Sequence, residues 1–395
     1  MNILFLNYVV NKEKAETLSG VSIAGNKMQM NILKNLVSNK EINVKSITLY
    51  PIASYPNDKK IYIKTKEISI IEEITSIRIG FLNLKLIKQV WQTLSVYNQA
   101  KKLINDDTII LSFNAFPQIG IPLMLLKKKF NSKIVSILAD LPIDDKVGRK
   151  GISLLARKYF DKLTRKSILS CDKLIVLNKH AIELFAPETR YIVVEGGIDI
   201  GELRPVPEKN YMTKNIVYSG ALTQYSGVVN LIESMKSIED KDVFLDIYGS
   251  GQMEGYVNEC ANKMNNVFFH GRVDNHTMMK KQSEAFLLVN PRPVNDPIAM
   301  VTFPSKIFEY MISGTPVLTT KLNGFSEDYL DKMFFVDNNK PHTLANALIE
   351  IINLPEDELR KKASLSREFI VENKTWVKQC EKIYNFLMEE AMYEK

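Results

Sequence analysis

The sequence predicts an α/β protein built from two doubly wound domains. Short apolar runs rich in β-branched residues, such as Asn2–Asn7 and Val243–Tyr248, alternate with amphipathic segments. Strands of continuous apolar character with intervening helices are typical of parallel sheets covered on both faces. The runs fall into two series. Between them, residues 199–214 are polar, contain two prolines and show no apolar period, which predicts a linker.

Each series contains six candidate strands. In the first series they are Asn2–Asn7, Val44–Leu49, Thr108–Phe113, Lys133–Leu138, Lys173–Leu177 and Tyr191–Val194. In the second they are Asn215–Ser219, Val243–Tyr248, Val267–Phe269, Ala285–Asn290, Val317–Thr319 and Met333–Val336. Helical periodicity covers Asn26–Ser38, Gly151–Leu169 and Trp376–Met392. In Gly151–Leu169 it predicts an apolar stripe of Ile152, Leu155, Tyr159 and Leu163.

Composition excludes several classes of protein. The chain has 395 residues, of which 45% are hydrophobic and 25% charged, as in soluble globular proteins. No apolar run approaches the roughly 18–20 residues of a membrane span, and the first residues lack the basic segment of a signal peptide. Cys171, Cys260 and Cys380 form no CxxC pair, which argues for reduced thiols in the cytoplasm. The four histidines have no metal-ligand spacing.

The net charge of +7 is unevenly distributed. Residues 1–200 carry 30 basic and 18 acidic side chains, a balance of +12, and the remainder carries 22 and 27, a balance of −5. Residues 127–179 alone carry 14 basic and 5 acidic side chains with interleaved apolar residues. This pattern predicts that the first domain faces a polyanion, an anionic membrane surface or a phosphorylated substrate. A merely solvated lysine-rich face is the open alternative.

The segment 290–320 carries a candidate anion site. A predicted strand ends at Asn290, Arg292 follows it, and a helix is predicted at Lys306–Ser313. One turn into this helix, the carboxylate of Glu309 would reach a ribose diol. These groups would together suit a sugar nucleotide.

The start of the same helix offers backbone donors. We expect the N–H groups of Ser305, Lys306 and Ile307 to be free, at the positive end of the helix dipole. Arg292 and Lys306 add fixed positive charge on either side. An ordinary surface helix that Ser305 caps is the alternative.

Further segments of the second half resemble one enzyme family. NIVYSGALTQYSG carries a glycine-rich turn at Gly220, and DVFLDIYGSG carries another at Gly249. VFFHGRVDN ends in a Gly-x-Val that includes Arg272 and Val273, and TFPSKIFEYMISGTPVLTT contains Glu309. In this order the segments resemble the nucleotide-sugar domain of retaining GT-B glycosyltransferases of the large family 4 type.

The resemblance implies a GT-B fold, in which two Rossmann-like domains face a central cleft. Residues 1–202 would form the acceptor-side domain, completed by a returning helix at 376–395, and residues 203–375 would bind the nucleotide sugar. It implies no metal and no cofactor besides the donor substrate. The implied donor-binding residues of the second domain are Gly220, Gly249, Arg272, Val273, Arg292, Ser305, Lys306, Ile307 and Glu309.

In the first half the likeness is looser. SGVSIAG contains Gly20, where a small residue would let the donor phosphate or the acceptor approach the backbone. Asp140 ends the strand SILAD, and Ala139 stands where relatives often have a histidine. Asp140 is therefore the candidate catalytic or orienting carboxylate, and capping of the next turn is its alternative role. Asp144 and Asp145 are further candidates.

The sequence also departs from the family pattern. The usual arginine and lysine of the first glycine turn are replaced by Ala221 and Ser226, and the first of two paired glutamates is Val301. Arg292 and Lys306 would replace the missing cations and stabilise the leaving diphosphate, a catalytic role. Asp296 would reach the donor sugar in place of the missing glutamate, or the backbone would do so, or the donor sugar would be recognised differently.

The implied activity is transfer of a sugar from a nucleotide sugar to a polyprenyl-diphosphate-linked saccharide, with retention, in cell-surface polysaccharide synthesis. The enzyme would be cytoplasmic, peripheral to an anionic membrane surface and without a nucleic-acid partner. The alternatives are a non-catalytic sugar-nucleotide-binding scaffold and a GT-B-type sugar-nucleotide epimerase. An NAD site at Gly249 and Gly251 is disfavoured, because the spacing is GxGxxxG and no acidic residue closes the next strand.

Overall fold

A computed structural model describes residues 1–18, 20–71, 74–85, 87–142, 152–209 and 211–389. The chain forms two compact units: Met1–Gly196 with Trp376–Lys395, and Gly197–Thr375. The boundary falls six residues before the predicted one at 202. The candidates Asp144 and Asp145 lie outside the described residues. Among the helices that are described, none is long and apolar enough to cross a membrane.

The first unit contains an eight-stranded sheet. Its strands are β1 (Asn2–Asn7), β2 (Asn43–Thr48), β3 (Tyr62–Ile63), β4 (Lys66–Ile71), β5 (Ile74–Arg78), β6 (Phe81–Leu82), β7 (Thr108–Phe113), β8 (Lys133–Leu138), β9 (Lys173–Val176) and β10 (Arg190–Val193). Its helices are α1 (Lys12–Thr17), α2 (Ile23–Ser38), α3 (Lys88–Ala100), α4 (Pro117–Phe130), α5 (Ile152–Leu169) and α6 (His180–Phe185). The strand order is β10-β9-β8-β7-β1-β2-β5-β4, with β3 and β6 forming a separate pair.

The sequence did not predict the strands between residues 62 and 82. β4 pairs antiparallel with β5, and β5 extends the parallel sheet beside β2. These short strands mix apolar residues with Lys66, Glu67 and Arg78, so they lack the continuous apolar character of the buried strands. At this edge of the sheet one face remains accessible to solvent. The strands therefore lack the continuous apolar runs from which the other strands were predicted.

The helix α2 fixes the loop that follows β1. It begins three residues before the predicted start, because the Ser22 hydroxyl accepts a hydrogen bond from the N–H of Gly25 and caps it. Inside the helix, the Asn26 amide bonds both the N–H and the carbonyl of Val10, at 2.9 and 3.0 Å. Two buried polar side chains of α2, Asn26 and Gln29, thus hold the chain where it leaves the sheet.

Part of the predicted apolar stripe of α5 faces solvent. Leu155 and Tyr159 are exposed, whereas Ser167 and Ile168 are buried. The reason lies in α4, where a Cβ on Gly120 would stand 2.2 Å from the Ser167 hydroxyl oxygen. The two helices approach closely through these small residues, so Ser167 rather than Leu155 or Tyr159 faces α4.

The second unit has a fully parallel, six-stranded sheet. Its strands are β11 (Lys214–Ala221), β12 (Val243–Ser250), β13 (Val267–Gly271), β14 (Leu287–Asn290), β15 (Val317–Thr320) and β16 (Phe334–Val336). Its helices are α7 (Val228–Ser234), α8 (Glu254–Lys263), α9 (Asn275–Glu284), α10 (Pro297–Val301), α11 (Lys306–Ile312), α12 (Pro341–Ile352) and α13 (Glu356–Asn373). The strand order is β13-β12-β11-β14-β15-β16. The order reverses between β11 and β14, and ligands bind at the carboxyl ends of strands beside such a switch point.

The predicted linker is packed on the second unit rather than free. Lys209 donates hydrogen bonds to the carbonyls of Ser283 and Ala285, at 2.9 and 2.8 Å, and to the hydroxyl of Thr315. Burial of its ammonium lowers the pKa of Lys209 to about 7. A Cβ on Gly314 would stand 2.6 Å from the side chain of Val206. The segment contains two prolines and shows no apolar period, but Val206 and Lys209 make specific contacts in the second unit.

The last helix, α14 (Trp376–Met388), belongs to the first unit. Its buried residues Trp376, Cys380, Ile383, Phe386 and Leu387 join the core around β1, β7 and α2. The buried ammonium of Lys173 donates to the carbonyl of Phe386 at 2.7 Å and fixes the end of the helix. Both α/β units, and with them the predicted fold class, are therefore confirmed.

We expect Ile383→Ala to lower the free energy of unfolding by about 2–5 kcal/mol, because Ile383 is fully buried in this core. Val377→Ala on the exposed face of α14 is the matched control and should change it by less than about 0.5 kcal/mol. Denaturant unfolding of both variants measures the difference. Equal stability of the two would contradict the docking of α14.

Candidate active site

The carboxyl ends of β11 and β12 are joined by glycine contacts. Gly220 pairs with Gly249 in the parallel register. Gly249 has φ = 142°, and a Cβ there would stand 1.8 Å from the carbonyl oxygen of Gly220. Gly251 has φ = 153° and approaches Leu222 in the same way. Glycine is therefore required here by the backbone itself, and both predicted glycines lie at the switch-point edge.

Lys306 brings a positive charge to this edge. Its Nζ donates to the carbonyl of Ser219 at 2.6 Å and would stand 3.2 Å from a Cβ on Gly220. Desolvation lowers the pKa of Lys306, and the nearby charge of Glu309 raises it. Two predicted site residues, Lys306 and Gly220, are thus brought together, and the Lys306 ammonium has further donor capacity.

Two tyrosines that the sequence analysis missed complete the edge. The hydroxyl of Tyr310 on α11 accepts from the N–H of Ser219 at 3.0 Å and bonds the carbonyl of Ser219 at 3.1 Å. The hydroxyl of Tyr218 donates to the carbonyl of Ala221 at 2.9 Å. Burial raises the pKa of both, to about 12 for Tyr310. Both stay neutral donors, and their apolar sequence context gave no sign of this role.

Arg292 is the second predicted cation, and it is already paired. It donates to the carboxylate of Asp296 at 3.1 and 3.3 Å, and its charge also lowers the pKa of Tyr218, so it lies near that ring. The other oxygen of Asp296 caps α10 by accepting from the N–H of Ile298. Asp296 is buried and engaged at both oxygens, which corrects the expectation that it reaches a donor sugar.

The start of α11 differs from the predicted anion site. The helix has seven residues, and Ser305 makes no side-chain capping bond. The N–H of Ile307 donates to the carbonyl of Pro304 at 2.9 Å, so it is not free as predicted. The side chain of Ile307 is buried in the core. The prediction of a free donor is therefore wrong for Ile307, and the Lys306 side chain brings positive charge to this edge.

The remaining predicted residues lie along the same unit. Glu309 is on α11, one turn after Lys306. Gly271 ends β13 with φ = 66°, and the exposed Arg272 and the partly buried Val273 follow it. Since β13, β12 and β11 are neighbours in the sheet, these residues lie at the same edge.

In the first unit, Asp140 is a positioned carboxylate. The Asn114 amide donates to its Oδ2 at 3.0 Å and accepts from the N–H groups of Ala139 and Asp140, at 2.9 Å each. Partial desolvation raises the pKa of the exposed Asp140, and the bond from Asn114 lowers it. Asn114 has φ = 61°, a conformation that few residues other than glycine adopt. The sequence analysis did not identify Asn114.

Gly20, also in the first unit, serves a backbone contact. A Cβ there would stand 2.5 Å from the carbonyl oxygen of Pro51. Its small size therefore lets one loop of the chain approach another. In the described part of both units, no cluster of three or more histidine, cysteine or acidic side chains could hold a metal ion.

Comparison with known proteins identifies a matching family for the second unit. Residues 213–353 match the family model described as "Glycosyl transferases group 1". Among curated proteins, none matches the sequence significantly.

Solved structures match nearly the whole chain. Sucrose-phosphate synthase from Thermosynechococcus elongatus aligns with a TM-score of 0.72 at 17% identity, covering 100% of both chains. Anabaena HepE in complex with UDP aligns with 0.64 at 15% identity, covering 98% of this chain and 99% of that one. An E. coli trehalose-6-phosphate structure bound with UDP-2-fluoro glucose aligns with 0.67 at 12% identity, covering 98% and 99%. These likenesses confirm the predicted fold.

The glycine contacts at the edge can be tested directly. Gly249→Ala should lower the free energy of unfolding by more than about 1 kcal/mol, because its Cβ meets the Gly220 carbonyl and its φ is unfavourable. Gly255→Ala on α8 is the matched control, since a Cβ there meets nothing within 4 Å. It should leave stability unchanged or raise it by about 0.4–1 kcal/mol. Thermal unfolding distinguishes them, and an equally stable Gly249→Ala would contradict the contact.

Proposed function

We propose that this chain, a glycosyltransferase with the GT-B fold, transfers a sugar from a nucleotide-diphosphate donor to a saccharide acceptor. The match of residues 213–353 to group 1 glycosyl transferases supports the enzyme class and bears out the prediction of a glycosyltransferase. Retention of configuration and independence of metal follow the sequence resemblance and belong to the proposal.

The observation that carries the donor site is the Lys306 ammonium beside Gly220 at the switch point. A nucleoside diphosphate brings negative charge, and a partly desolvated cation stabilises such charge more strongly than a hydrated one. As the sugar leaves, charge builds up on the diphosphate, so Lys306 acts on the leaving group. Arg292 adds a second, partly neutralised charge near Tyr218. Two solved relatives of the same fold hold UDP or a UDP-sugar, which supports this ligand class.

For the acceptor we propose a lipid-diphosphate-linked saccharide used in cell-surface polysaccharide synthesis, at the cytoplasmic face of a membrane. Support comes from the helices α3, α4 and α5, which pack side by side and carry nine basic residues and one acidic residue. Such a layer attracts anionic headgroups. A soluble sugar phosphate is the competing acceptor, because sucrose-phosphate synthase shares the fold.

The same layer exposes apolar side chains. On α3, Val90, Trp91 and Leu94 are 62%, 44% and 57% exposed at a helical spacing of one face. Leu155 and Tyr159 on α5 are exposed as well. Apolar residues among basic ones, with tryptophan present, are typical of surfaces that enter the headgroup region. This combination supports the membrane partner.

Lys306→Met should weaken donor use about 10²-fold, about 3 kcal/mol, because it removes the charge and keeps the apolar stem. Tyr310 still bonds the Ser219 carbonyl, so the edge should remain folded. Lys241→Met at an exposed site matches the change in net charge and should have no effect. Calorimetry with UDP, GDP and dTDP and transfer assays measure both variants. Wild-type affinity in Lys306→Met would overturn the donor site.

Reaction products distinguish the remaining functions. Transfer to a lipid-diphosphate saccharide supports the proposal, and transfer only to a sugar phosphate contradicts the acceptor assignment. Conversion of the nucleotide sugar without any acceptor would indicate an epimerase. Binding without turnover would indicate a scaffold.

The membrane surface predicts a second set of variants. Trp91→Ser with Leu94→Ser should weaken binding to anionic vesicles roughly tenfold or more, since each buried apolar side chain contributes about 1.5–3 kcal/mol. High salt should weaken binding further by screening the basic residues. Ile349→Ser on the exposed face of α12 is the control. Vesicle sedimentation measures the binding of the wild type, the double variant and the control. Equal binding of the wild type to neutral and anionic vesicles would reject the electrostatic contribution to membrane binding.

A further inference from the structure

Tyr8 carries a hydroxyl group that nothing in the described structure uses. It follows β1, and its N–H donates to the side-chain carbonyl of Gln29 at 2.8 Å. Its ring packs against the core of the first unit. Its hydroxyl oxygen is buried and has no hydrogen-bond partner. Such a group lowers stability, and native structures keep it mainly where a ligand or water completes it.

The neighbouring strand ends place Asp140 near this hydroxyl. Tyr8, Asn114 and Asp140 follow β1, β7 and β8, which are adjacent in the sheet. The charge of Asp140 contributes to the raised pKa of Tyr8, after the larger effect of burial. Tyr8 therefore keeps its proton and is a donor. Asn114 binds Oδ2 of Asp140, so the Asp140 carboxylate is held in place with acceptor capacity left over.

We propose that the Tyr8 hydroxyl and the Asp140 carboxylate together bind one hydroxyl group of a sugar, with Tyr8 donating and Asp140 accepting. A sugar hydroxyl fits because it can donate one hydrogen bond and accept another at the same oxygen. Neither an anion nor a cation satisfies both partners. The inference rests on the proposed function, which supplies the sugar as the acceptor. Asn114 is a positioning residue in this arrangement.

The first experiment is Tyr8→Phe, which removes the hydroxyl and keeps the ring. We expect kcat/KM to fall about tenfold or more, while the melting temperature stays equal or rises, because an unsatisfied buried group is removed. Tyr62→Phe, at an exposed position on β3, should change neither. A higher KM for the acceptor assigns the hydroxyl to the acceptor.

The second experiment tests the positioning by Asn114. Asn114→Gly accepts the positive φ but loses the bond to Asp140, so the pKa of Asp140 rises. The acidic limb of kcat/KM should then shift to higher pH. Among the described residues, Tyr8 is a titratable neighbour whose pKa the charge of Asp140 raises. Asn131→Gly is the matched control, because Asn131 also has a positive φ, 52°, at the end of α4.

Three results would overturn the inference. Unchanged kcat/KM in Tyr8→Phe would mean that the hydroxyl binds only water. A lowered melting temperature in that variant would mean that the hydroxyl supports the fold. If the wild type transfers no sugar, the proposed function fails. Saturation-transfer NMR of saccharide binding then still tests the Tyr8–Asp140 pair. Binding that Tyr8→Phe weakens supports the pair, and absent or unchanged binding overturns it.

Discussion

The candidate donor site depends on how α11 is bonded to the backbone of Ser219. Tyr310 bonds both the N–H and the carbonyl of Ser219, and Lys306 from the same helix bonds the carbonyl. These bonds fix α11 against the end of β11, at the point where the strand order reverses. Because Lys306 is held by the same residue that begins the glycine turn, the ammonium and the turn form one rigid unit. Its placement needs no ligand, which is the preorganisation that electrostatic stabilisation requires.

Much of the fold could be predicted because the buried strands are continuous apolar runs. β1, β7 and β8 were predicted to the residue, since parallel strands covered on both faces leave no polar alternation to blur their limits. The strands between 62 and 82 were missed because they lie at a partly solvated edge. The orientation of α5, with Leu155 and Tyr159 exposed, was not predicted for a different reason. It is set by a close contact between Gly120 and Ser167, a tertiary effect that periodicity does not register.

Some residues of the candidate site could be predicted from the sequence and others could not. Glycines and charged residues can be recognised in a sequence as candidate site residues, so Gly249, Lys306 and Asp140 were predicted. The pairing of Arg292 with Asp296 and the occupied N–H of Ile307 follow from local backbone geometry that the spacing did not reveal. Tyr8 and Asn114 come together with Asp140 only through the strand order. A strand order is a property of the whole sheet, and no single segment of the chain encodes it.

The docking of α14 also has a consequence for how the chain folds during synthesis. The first unit is complete only when Trp376 and the residues after it have joined its core. A ribosome must first make the second unit, residues 197–375, which is continuous in sequence. Until then the apolar residues of the first unit that α14 covers remain exposed, a surface of the kind that chaperones bind and that aggregates. All elements of the second unit's core are synthesised before α14. The second unit can therefore complete its fold before the first unit, although it follows the first unit in the sequence.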